Sequence, residues 1–595
     1  MSALHQKDSY KVNHKDQYAP GTTKIYSNFT ARSGKNQNVP TDGVCFIGLQ
    51  HFILDYLIED WDYSFFTRSI DRVVNRYQRR VSNIVGYKVN VDHIRALHKL
   101  GYLPIEIKAL PEGSMVPYGV PMLTIVNTKP EFFWVTNMLE SVLSAELWQP
   151  ITSATTYMAY KKLGLRYAEL TGADKEFVRY QFHDFGFRGM AGRHAAAASG
   201  FTVLAAGGYG TDNIPAIDLA EDYYGADSDK EIVGVSVPAT EHSTETSSIS
   251  DIIKSSGFDQ LKTEFLSRSI TTDSVEYDDK LIAEYEYFKH LITEVYPNGF
   301  VSVVSDSYDF WGVISEILPR LKSDIMARDG RVVIRPDSGD PVEILCGMEI
   351  PVVPEQYVAL DSIGLYITED IRDQIRTETP HGELGDSEVT KIYKAGKKYY
   401  QATVEIDWNR YDKQYYYEDG CHLLSIQEIE LTAEQKGLIQ CLWDIFGGTV
   451  TDKGFNLLDT HIGAIYGDSI TYKRAEEIFR RLAAKGFASS NVVLGIGSYS
   501  FQYVTRDTHG MAMKSTYAEI NGAGVEIFKD PKTDNGIKKS AKGLLMITQE
   551  NDVYTLVDQV SVDQERHGCL ETVFKDGQLV KSTTLAEIRA ITDRG

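Results

Sequence analysis

Residues 331–340 read RVVIRPDSGD, an apolar run of the strand type that leads directly into a loop of proline, aspartate, serine and glycine. The same order of apolar run and polar loop occurs in five other places, and helix-type stretches stand between or after several of these units. The five are RYQFHDFGFRG (179–189), IVGVSVPATEHS (232–243), FVSVVSDSYDF (300–310), GAIYGDSI (463–470) and NVVLGIGSYS (491–500). In a βα barrel the loops after the strands meet at one end and share a pocket. We therefore predict the α/β class, with an irregular βα barrel similar to a TIM barrel and one shared site.

The length of the chain predicts several structural units, because 595 residues are more than one layered core can hold. We assign the barrel to residues 179–349 and 451–510. Residues 1–178 mix strand-type and helix-type stretches, which predicts an α+β region packed on the barrel. Residues 350–450 contain tyrosine-rich, charged and alternating stretches, which predict an inserted β-rich subdomain. Residues 511–595 return to strand-type and loop-type stretches that would close the N-terminal region.

The charge of the chain limits its partners. With 83 acidic and 61 basic side chains, the formal net charge of −22 would repel a nucleic acid, whereas a few local arginines and lysines can still form a pocket for a small phosphorylated ligand. Five widely spaced cysteines without a CxxC pair indicate reduced thiols rather than a zinc or redox motif. The first residues are polar and no apolar run is long enough to cross a bilayer, so we predict a cytoplasmic protein without membrane contact.

The loop IRPDSGDP (334–341) combines groups that suit a metal-bound phosphate ester. The planar fork of Arg335 can grip a phosphate, and Asp337 and Asp340 offer the hard oxygens that magnesium prefers. The alternative is an ordinary helix start capped by Asp337 or Ser338. Both interpretations stay open on the sequence.

Two further loops place carboxylates directly after strands. In VVSDSYD, Asp306 and Asp309 could reach a hydroxyl, a metal or another residue of the site, although a helix cap is equally compatible. In GDS, Asp468 could accept both hydroxyls of a ribose while Gly467 lets the ligand approach the backbone. The two loops gain weight from their place at the same end of the predicted barrel.

The segment GIGSYS (495–500) and the tail after it could bind phosphate. Bare N–H groups at Gly495 and Gly497 can cradle a phosphate, although such a turn is also common without one. Arg506 and the lysines after it could hold a terminal phosphate or ATP, and a solvated surface is the alternative for most of these lysines. The lysines are Lys514, Lys529, Lys538, Lys539 and Lys542.

Two other loops suggest ring stacking and phosphorus chemistry. In HDFGFRG, the face of Phe185 could stack on a flat heteroaromatic ring while Arg188 holds an anion beside it, and a core aromatic next to a buried ion pair is the alternative. In SVPATEHS, His242 could carry a proton or act as a nucleophile towards phosphorus, and a structural histidine is the alternative.

Taken in order, these motifs resemble those of the nicotinamide phosphoribosyltransferase family, which belongs to the type II phosphoribosyltransferases. The resemblance covers residues 8–345 and 455–585 and rests on eight ordered motifs. They are DSYKVNH (8–14), HDFGFRG, GTD (210–212), SVPATEHS, VSVVSDSYD, IRPDSGDP, GDS and FKDP (528–531). The resemblance implies a homodimer that joins nicotinamide to phosphoribosyl pyrophosphate and forms nicotinamide mononucleotide for NAD salvage.

The resemblance also implies roles for individual residues. Phe185 and Tyr10 would sandwich the nicotinamide ring, with Tyr10 supplied by the partner subunit. Asp212 would accept a hydrogen bond from the carboxamide, and Ser236 and Val237 would line a tunnel leading to the ring. The other implied substrate contacts are Ser302, then Arg188, His242 and Arg335 for the pyrophosphate, and Asp337, Gly467, Asp468, Ser498 and Arg506 for the ribose and 5′-phosphate.

The implied chemistry is attack by the pyridine nitrogen on the anomeric carbon as magnesium pyrophosphate leaves. Catalytic roles would fall to His242, Asp306 and Asp337. Magnesium would be held mainly by the pyrophosphate, with Asp337 and Asp340 as protein ligands. ATP would be an optional second substrate that phosphorylates His242 and so favours product formation. The basic residues for phosphate or ATP would be Lys514, Lys529 and Lys538.

Three other functions stay open. A nicotinate phosphoribosyltransferase would use a related scaffold, although the charge of Asp212 would repel a carboxylate substrate. A non-catalytic binding protein on the same fold and a metal-dependent hydrolase of phosphate esters are the others.

The chain also departs from the family in two places. GIGSYS replaces a longer glycine run, so that Ser498 would use its backbone N–H or its hydroxyl. Residues 350–450 have no counterpart in shorter members. That insert could shape the dimer, cover the pocket or bind an effector.

Overall fold

A computed structural model describes residues 2–268, 277–359, 362–378, 388–406, 421–467, 469–528 and 541–594.

Five parallel strands form the main sheet. Each strand of the sheet pairs in parallel register with its neighbours. In spatial order the strands are Phe182–Asp184, Val492–Ile496, Ile462–Tyr466, Asp329–Arg335 and Asn298–Val304.

Isolated parallel bridges continue this pairing until the ring closes, so the predicted α/β barrel is confirmed. The segment 232–243 supplies two bridge positions rather than a full strand. Gly234 offers no side chain to pack and Pro238 has no N–H to donate, which explains why regular pairing stops here. The bridges join Asp184 to Thr211, Gly210 to Val235, and Ala239 to Ser302.

Helices pack on the barrel and share one apolar core with its strands. Tyr472–Ala484 shows why they form: its buried residues Ala475, Ile478, Phe479 and Leu482 recur at helical spacing on one face. The other long helices of this core are Glu140–Thr171, Arg193–Ala205, Ile214–Tyr224, His242–Lys254, Phe258–Ser267, Asp279–His290, Leu318–Met326, Leu438–Phe446 and Leu585–Thr592.

A seven-stranded antiparallel sheet forms a second core beside the barrel. Three strands from the N-terminal part of the chain lie in the middle of this sheet, with two strands from the C-terminal part on each side. Helices Ile70–Val85 and Asp92–Leu100 add their apolar faces to this core. In spatial order the strands are Ala523–Glu526, Met511–Ile520, Thr22–Ala31, Pro121–Asn127, Ile105–Ala109, Glu571–Lys575 and Gln578–Leu579. Three two-stranded sheets accompany it: Gly43–Cys45 with Met115–Pro117, Gly448–Val450 with Asn456–Leu458, and Leu544–Glu550 with Val553–Val560.

Helix Glu140–Thr171 connects the two cores. Ile151 is buried in the core of the antiparallel sheet, and Ala154, less than one turn later, is buried in the core of the barrel. A helix that contributes to two cores is covered on nearly all faces, and residues 149–160 of this one are all buried, polar threonines and serines included. Although the helix is long, none of the described helices has both the length and the apolar character needed to span a bilayer.

The insert contains a helix as well as the predicted strands. Glu388–Ala395, Lys398–Ile406 and Cys421–Ile429 form an antiparallel sheet, against which helix Ile363–Glu378 packs. The apolar cluster of this unit is separate from the two larger cores. Ile367 and Ile371 on the helix are both fully buried in that cluster, and their separation of four residues is typical of one face of a helix.

Arg589 ties the last helix, Leu585–Thr592, to the barrel. Its guanidinium is almost fully buried and donates hydrogen bonds to the carbonyl oxygens of Leu204 (2.9 Å), Ile232 (3.1 Å) and Val233 (2.7 Å). The three carbonyls belong to the end of one helix and to the irregular barrel segment. A single side chain therefore donates to two backbone carbonyls of the segment that lacks regular strand pairing and joins them to the end of a helix.

Replacing Arg589 with alanine should lower the free energy of unfolding by about 2 kcal/mol or more, because the carbonyl oxygens of Ile232 and Val233 lose their donor and that of Leu204 keeps only backbone N–H donors. Urea-induced unfolding followed by far-UV circular dichroism measures the change. Arg594→Ala is the control, since this exposed arginine donates no side-chain hydrogen bond in the described residues and should change stability by less than about 0.5 kcal/mol. Equal effects of the two substitutions would contradict the assigned role.

Candidate active site

A cavity of about 510 Å³ runs along the inside of the barrel. Phe300 and Val492, near the beginnings of their strands, line one end, and Phe185, Asp212 and Arg335, at or after strand ends, line the other. The six predicted site residues on its wall are Phe185, Asp212, Ser236, Val237, Ser302 and Arg335. The structure thus brings together residues that are far apart in the sequence.

Glycines make the space in which Phe185 lies. A Cβ atom at Gly495 would lie 2.6 Å from Phe185 Cε2, and one at Gly467 would lie 3.5 Å from the same atom. The Phe185 ring also contacts His183, with ring centroids 4.7 Å apart. Gly495 is therefore needed for the aromatic ring, whereas Gly497 has no atom closer than 3.9 Å to its Cβ position and leaves room for a ligand at the backbone.

Asp212 is held in one orientation by two donors. His183 Nε2 lies 2.9 Å from Asp212 Oδ1, and the Ser236 hydroxyl donates to the same oxygen. Burial acts to raise the pKa of Asp212, but the hydrogen bonds and charge of His183, the hydroxyl of Ser236 and the charge of Arg335 outweigh it and lower the pKa. The carboxylate is consequently ionised at neutral pH, and its other oxygen can accept a hydrogen bond from a ligand.

Arg335 and Ser302 present polar atoms to the cavity. Arg335 Nη2 donates to the carbonyl oxygen of Thr240 at 2.6 Å, which fixes the guanidinium at the end of its strand. Within the described part of the chain, Arg335 Nε and the buried Ser302 hydroxyl have no hydrogen-bond partner. Buried polar groups of this kind are ordinarily satisfied, so both are suited to receive polar atoms of a ligand.

Asp306 joins three parts of the site. Its Oδ2 accepts hydrogen bonds from the backbone N–H of Asp337 (3.0 Å) and the hydroxyl of Ser338 (2.6 Å). Its Oδ1 lies 3.3 Å from His242 Nε2, and the His242 ring is about half exposed. The Asp337 carboxylate also lies beside Gly467, where a Cβ atom would be 3.1 Å from Oδ1. A half-exposed imidazole backed by a buried carboxylate can contact an anion or exchange a proton.

Asp309 and Asp340 act as helix caps. Asp309 accepts a hydrogen bond from Gly312 N at 3.0 Å, and Asp340 Oδ1 accepts from Val342 N (2.8 Å) and Glu343 N (3.2 Å). The cap of the helix after IRPDSGDP is therefore Asp340 rather than Asp337 or Ser338. No group of three histidine, cysteine or acidic side chains in the described ranges is arranged to hold a metal ion.

A second group of predicted residues lies outside the cavity wall. Tyr10 is 61% exposed, and its neighbours include Glu140 and Arg506, whose charges both act on the phenol. Arg506 also acts on Lys514, whose pKa is lowered mainly by burial. These residues form one cluster of aromatic and basic groups. The cluster does not line the barrel cavity of its own chain.

The remaining predicted residues lie at the barrel mouth or outside the described residues. Arg188 is exposed on a short turn after the first barrel strand. Ser498 begins a short helix and faces Gly189, where a Cβ atom would be 2.5 Å from its hydroxyl oxygen. Asp468, Lys529 and Lys538 lie outside the residues that the structure describes.

Several residues of the site have no sequence signal of their own. His183 lies inside HDFGFRG, but only the fold shows that its ring reaches Asp212. Thr240 acts through its backbone oxygen, which any residue would provide. Glu245 and Glu284, both fully buried behind His242, read as ordinary charged helix positions. Their spacing on neighbouring helices becomes visible only in three dimensions.

The fold and the site define a barrel enzyme of the α/β class, in which an aromatic ring, a carboxylate and a guanidinium line one cavity. Residues 180–578 match the model of the nicotinate phosphoribosyltransferase (NAPRTase) family, and residues 2–107 match that of the N-terminal domain of nicotinamide phosphoribosyltransferase. The chain belongs to the nicotinate phosphoribosyltransferase family, and its fold is that of the type II phosphoribosyltransferases.

Three curated relatives are each named nicotinamide phosphoribosyltransferase. The protein from Acinetobacter baylyi is 42% identical over 99% of this chain and 96% of its own length. The protein from Xanthomonas campestris is 27% identical over 99% of this chain and 98% of its own length. The protein from Mycoplasma pneumoniae is 26% identical over 89% of this chain and 92% of its own length.

Gly495→Ala should destabilise the protein by about 1–3 kcal/mol, because the added methyl group overlaps the Phe185 ring in a packed wall. Urea-induced unfolding measures the change. Gly257→Ala is the matched control, since its φ is −91° and no atom lies within 4 Å of its Cβ position. If the two glycines tolerated alanine equally, the packing of Phe185 against Gly495 would be refuted.

Proposed function

We propose that this protein is a nicotinamide phosphoribosyltransferase, which joins nicotinamide to phosphoribosyl pyrophosphate and releases pyrophosphate. The product, nicotinamide mononucleotide, is the intermediate of NAD salvage. The observation that carries the proposal is the pairing of Phe185 with an ionised, oriented Asp212 on the wall of one cavity. This pairing suits a flat ring that bears a hydrogen-bond donor and no negative charge.

Asp212 gives the pocket its preference for nicotinamide. Its Oδ1 is occupied by His183 and Ser236, which leaves Oδ2 to accept the N–H of a carboxamide. Nicotinate has a carboxylate at the same place, which has no N–H to donate and would be repelled by the charge of Asp212. The runner-up, a nicotinate phosphoribosyltransferase, therefore fits this pocket less well.

The reaction transfers the phosphoribosyl group from pyrophosphate to the ring nitrogen of nicotinamide. The pyridine nitrogen of nicotinamide forms a bond to the anomeric carbon as the bond from that carbon to the pyrophosphate oxygen breaks, and pyrophosphate leaves with both electrons. Positive charge develops on the ribose ring, where carboxylates such as Asp306 and Asp337 would stabilise it. A bound magnesium ion would stabilise the charge of the leaving pyrophosphate.

His242, Arg335 and Arg188 are the groups for the pyrophosphate. Arg335 is fixed by Thr240 at the cavity wall, His242 stands half exposed beside Asp306, and Arg188 is exposed on the neighbouring loop. An imidazole whose Nε2 faces a carboxylate can present its other nitrogen to phosphorus. ATP as a second substrate that phosphorylates His242 is compatible with this geometry and is part of the proposal.

A second copy of the chain would complete the site. Tyr10, Arg506 and Lys514 are grouped on the surface away from the cavity of their own chain, and Tyr10 is largely exposed. In a homodimer with interfacial sites, Tyr10 would cover the face of nicotinamide opposite Phe185, and Arg506 and Lys514 would approach the phosphates. We place the enzyme in the cytoplasm.

The function is tested by incubating the protein with phosphoribosyl pyrophosphate and magnesium and offering nicotinamide or nicotinate separately, each with and without ATP. We expect nicotinamide mononucleotide from nicotinamide, and more of it with ATP. A preference for nicotinate would assign the chain to the runner-up activity. Formation of neither mononucleotide, with the ligands still binding, would favour a binding protein on the same fold.

Asp212→Asn tests the basis of the preference. The substitution keeps the size of the side chain but removes the charge, so kcat/KM for nicotinamide should fall and the ratio of kcat/KM for nicotinamide over nicotinate should fall by about ten-fold or more. Steady-state rates with each ring at fixed phosphoribosyl pyrophosphate give the ratio. Asp218→Asn, on the helix that follows, is the control and should leave the ratio unchanged. An unchanged ratio in Asp212→Asn would remove this residue from the account of specificity.

A further inference from the structure

Two buried glutamates lie behind His242. Glu245 is in the first turn of helix His242–Lys254, and Glu284 is on helix Asp279–His290, which packs against it. Both residues are 0% exposed, and their carboxyl groups face each other across the helix contact. No backbone N–H and no lysine, arginine or histidine side chain of the described residues donates a hydrogen bond to either carboxyl group.

The surroundings of this pair are predominantly acidic. Ser307 is the neutral neighbour that lies beside Glu245. Among the described residues that act on the pair, the basic group is the imidazole of His242, and the other charged groups are carboxylates. The titratable groups that act on the pair are His242 on the first helix, Tyr287 on the second helix, and Asp306 and Asp309 on the loop after strand Asn298–Val304.

Two touching carboxyl groups in such a place cannot both ionise at neutral pH. Burial raises the pKa of Glu245, and burial followed by the facing carboxyl of Glu245 raises the pKa of Glu284. A protonated Glu284 can donate its hydroxyl to Glu245, whereas two carboxylates would repel each other without a donor between them. The packed arrangement of the two helices therefore requires a shared proton.

The pair lies within reach of the catalytic groups. Glu245 follows His242 by three residues, in the same first turn of the helix, and Ser307 beside it directly follows Asp306. His242 contacts Asp306, which in turn holds the backbone of Asp337. A movement of this first turn would separate His242 from Asp306.

We propose that Glu245 and Glu284 are positioning residues, whose shared proton keeps the helix of His242 packed at neutral pH and whose full ionisation at alkaline pH releases its first turn. The consequence for catalysis rests on the proposed function, in which His242 contacts the pyrophosphate. The structural effect on the helix does not depend on it.

The direction of the effect follows from proton linkage. An unfolded chain ionises both glutamates near the ordinary value of 4.5, whereas the folded pair keeps a proton well above that pH. The pair therefore favours the packed state at low pH and opposes it increasingly as the pH rises, until the last proton leaves and the two like charges have to reach water. Local opening of the first turn is the least costly way to hydrate them.

The experiment compares the full-length wild-type protein with Glu284→Gln from about pH 6 to about pH 10. Hydrogen exchange of the amides in residues 242–254, corrected for the intrinsic rate, reports opening of the helix. In the wild type, exchange should rise at the alkaline end, and kcat/KM for phosphoribosyl pyrophosphate should fall there by about ten-fold per pH unit beyond the ionisation. Glu284→Gln should show neither change, because a neutral amide can donate to Glu245 at every pH.

Glu286→Gln is the control, since this residue is on the same helix and faces Lys289 instead. It should keep the alkaline response of the wild type. An alkaline response in Glu284→Gln equal to that of the wild type would overturn the proposal. If Glu284→Gln does not fold, Glu245→Gln removes the same like-charge pair and is judged by the same outcome. Absence of mononucleotide in all proteins would refute the proposed function alone, because exchange still reports on the pair.

Discussion

The end of the cavity that contains Phe185 and Asp212 depends on the hydrogen bonds of the buried Asp184 carboxylate. This carboxylate accepts hydrogen bonds from the backbone N–H two residues later, from the Thr211 hydroxyl (3.2 Å) and from Asn213 Nδ2 (3.4 Å). Burial raises its pKa, and these donors oppose that effect. The bonds join the end of the first barrel strand to the segment that bridges it. Phe185 follows on one side and Asp212 on the other, so one buried group sets the distance between the aromatic ring and the carboxylate.

The arrangement of charge in the cavity orients a ligand. Asp212 is ionised near Phe185, and Arg335 is in the same cavity and lowers the pKa of Asp212 by its charge. A ligand with a neutral donor group on a flat ring and an anionic group elsewhere gains from both charges in one orientation and loses from both in the reverse orientation. This internal polarity coexists with a formal net charge of −22 for the whole chain, because the local field inside a cavity depends on the few groups that line it.

The sequence predicts the barrel well because a short apolar run before a polar loop is a local pattern. The same pattern places Phe185, Arg335 and Asp337 at strand ends, where their side chains can meet. It does not predict that Gly210 and Thr211 bridge the first barrel strand and the segment 232–243, because a pairing of one or two residues leaves no periodic signal. It also leaves the insert's helix Ile363–Glu378 unrecognised, since the charged and tyrosine-rich residues around it suggest alternation instead.

Contacts between distant segments are the other part that the sequence alone does not contain. Gly495 reads as a phosphate-binding turn, whereas its main structural task is to leave room for Phe185. Asp340, which the sequence suggests as a magnesium ligand, caps a helix by accepting hydrogen bonds with one carboxylate oxygen. In both cases the residue type is compatible with two roles. The Phe185 ring decides for Gly495, and the backbone N–H groups of Val342 and Glu343 decide for Asp340.

An open cavity inside a barrel requires small residues where a packed barrel has large ones. Two glycines at the wall, Gly210 and Gly463, meet this requirement. Small residues pair poorly in strands and bury little apolar surface, which weakens the sheet just where the ring is irregular. The helices outside then have to supply the stability, and Arg589 supplies hydrogen bonds to the same irregular segment. The cavity and the incomplete strand pairing are thus two consequences of one constraint, the exclusion of bulky side chains from the centre of the barrel.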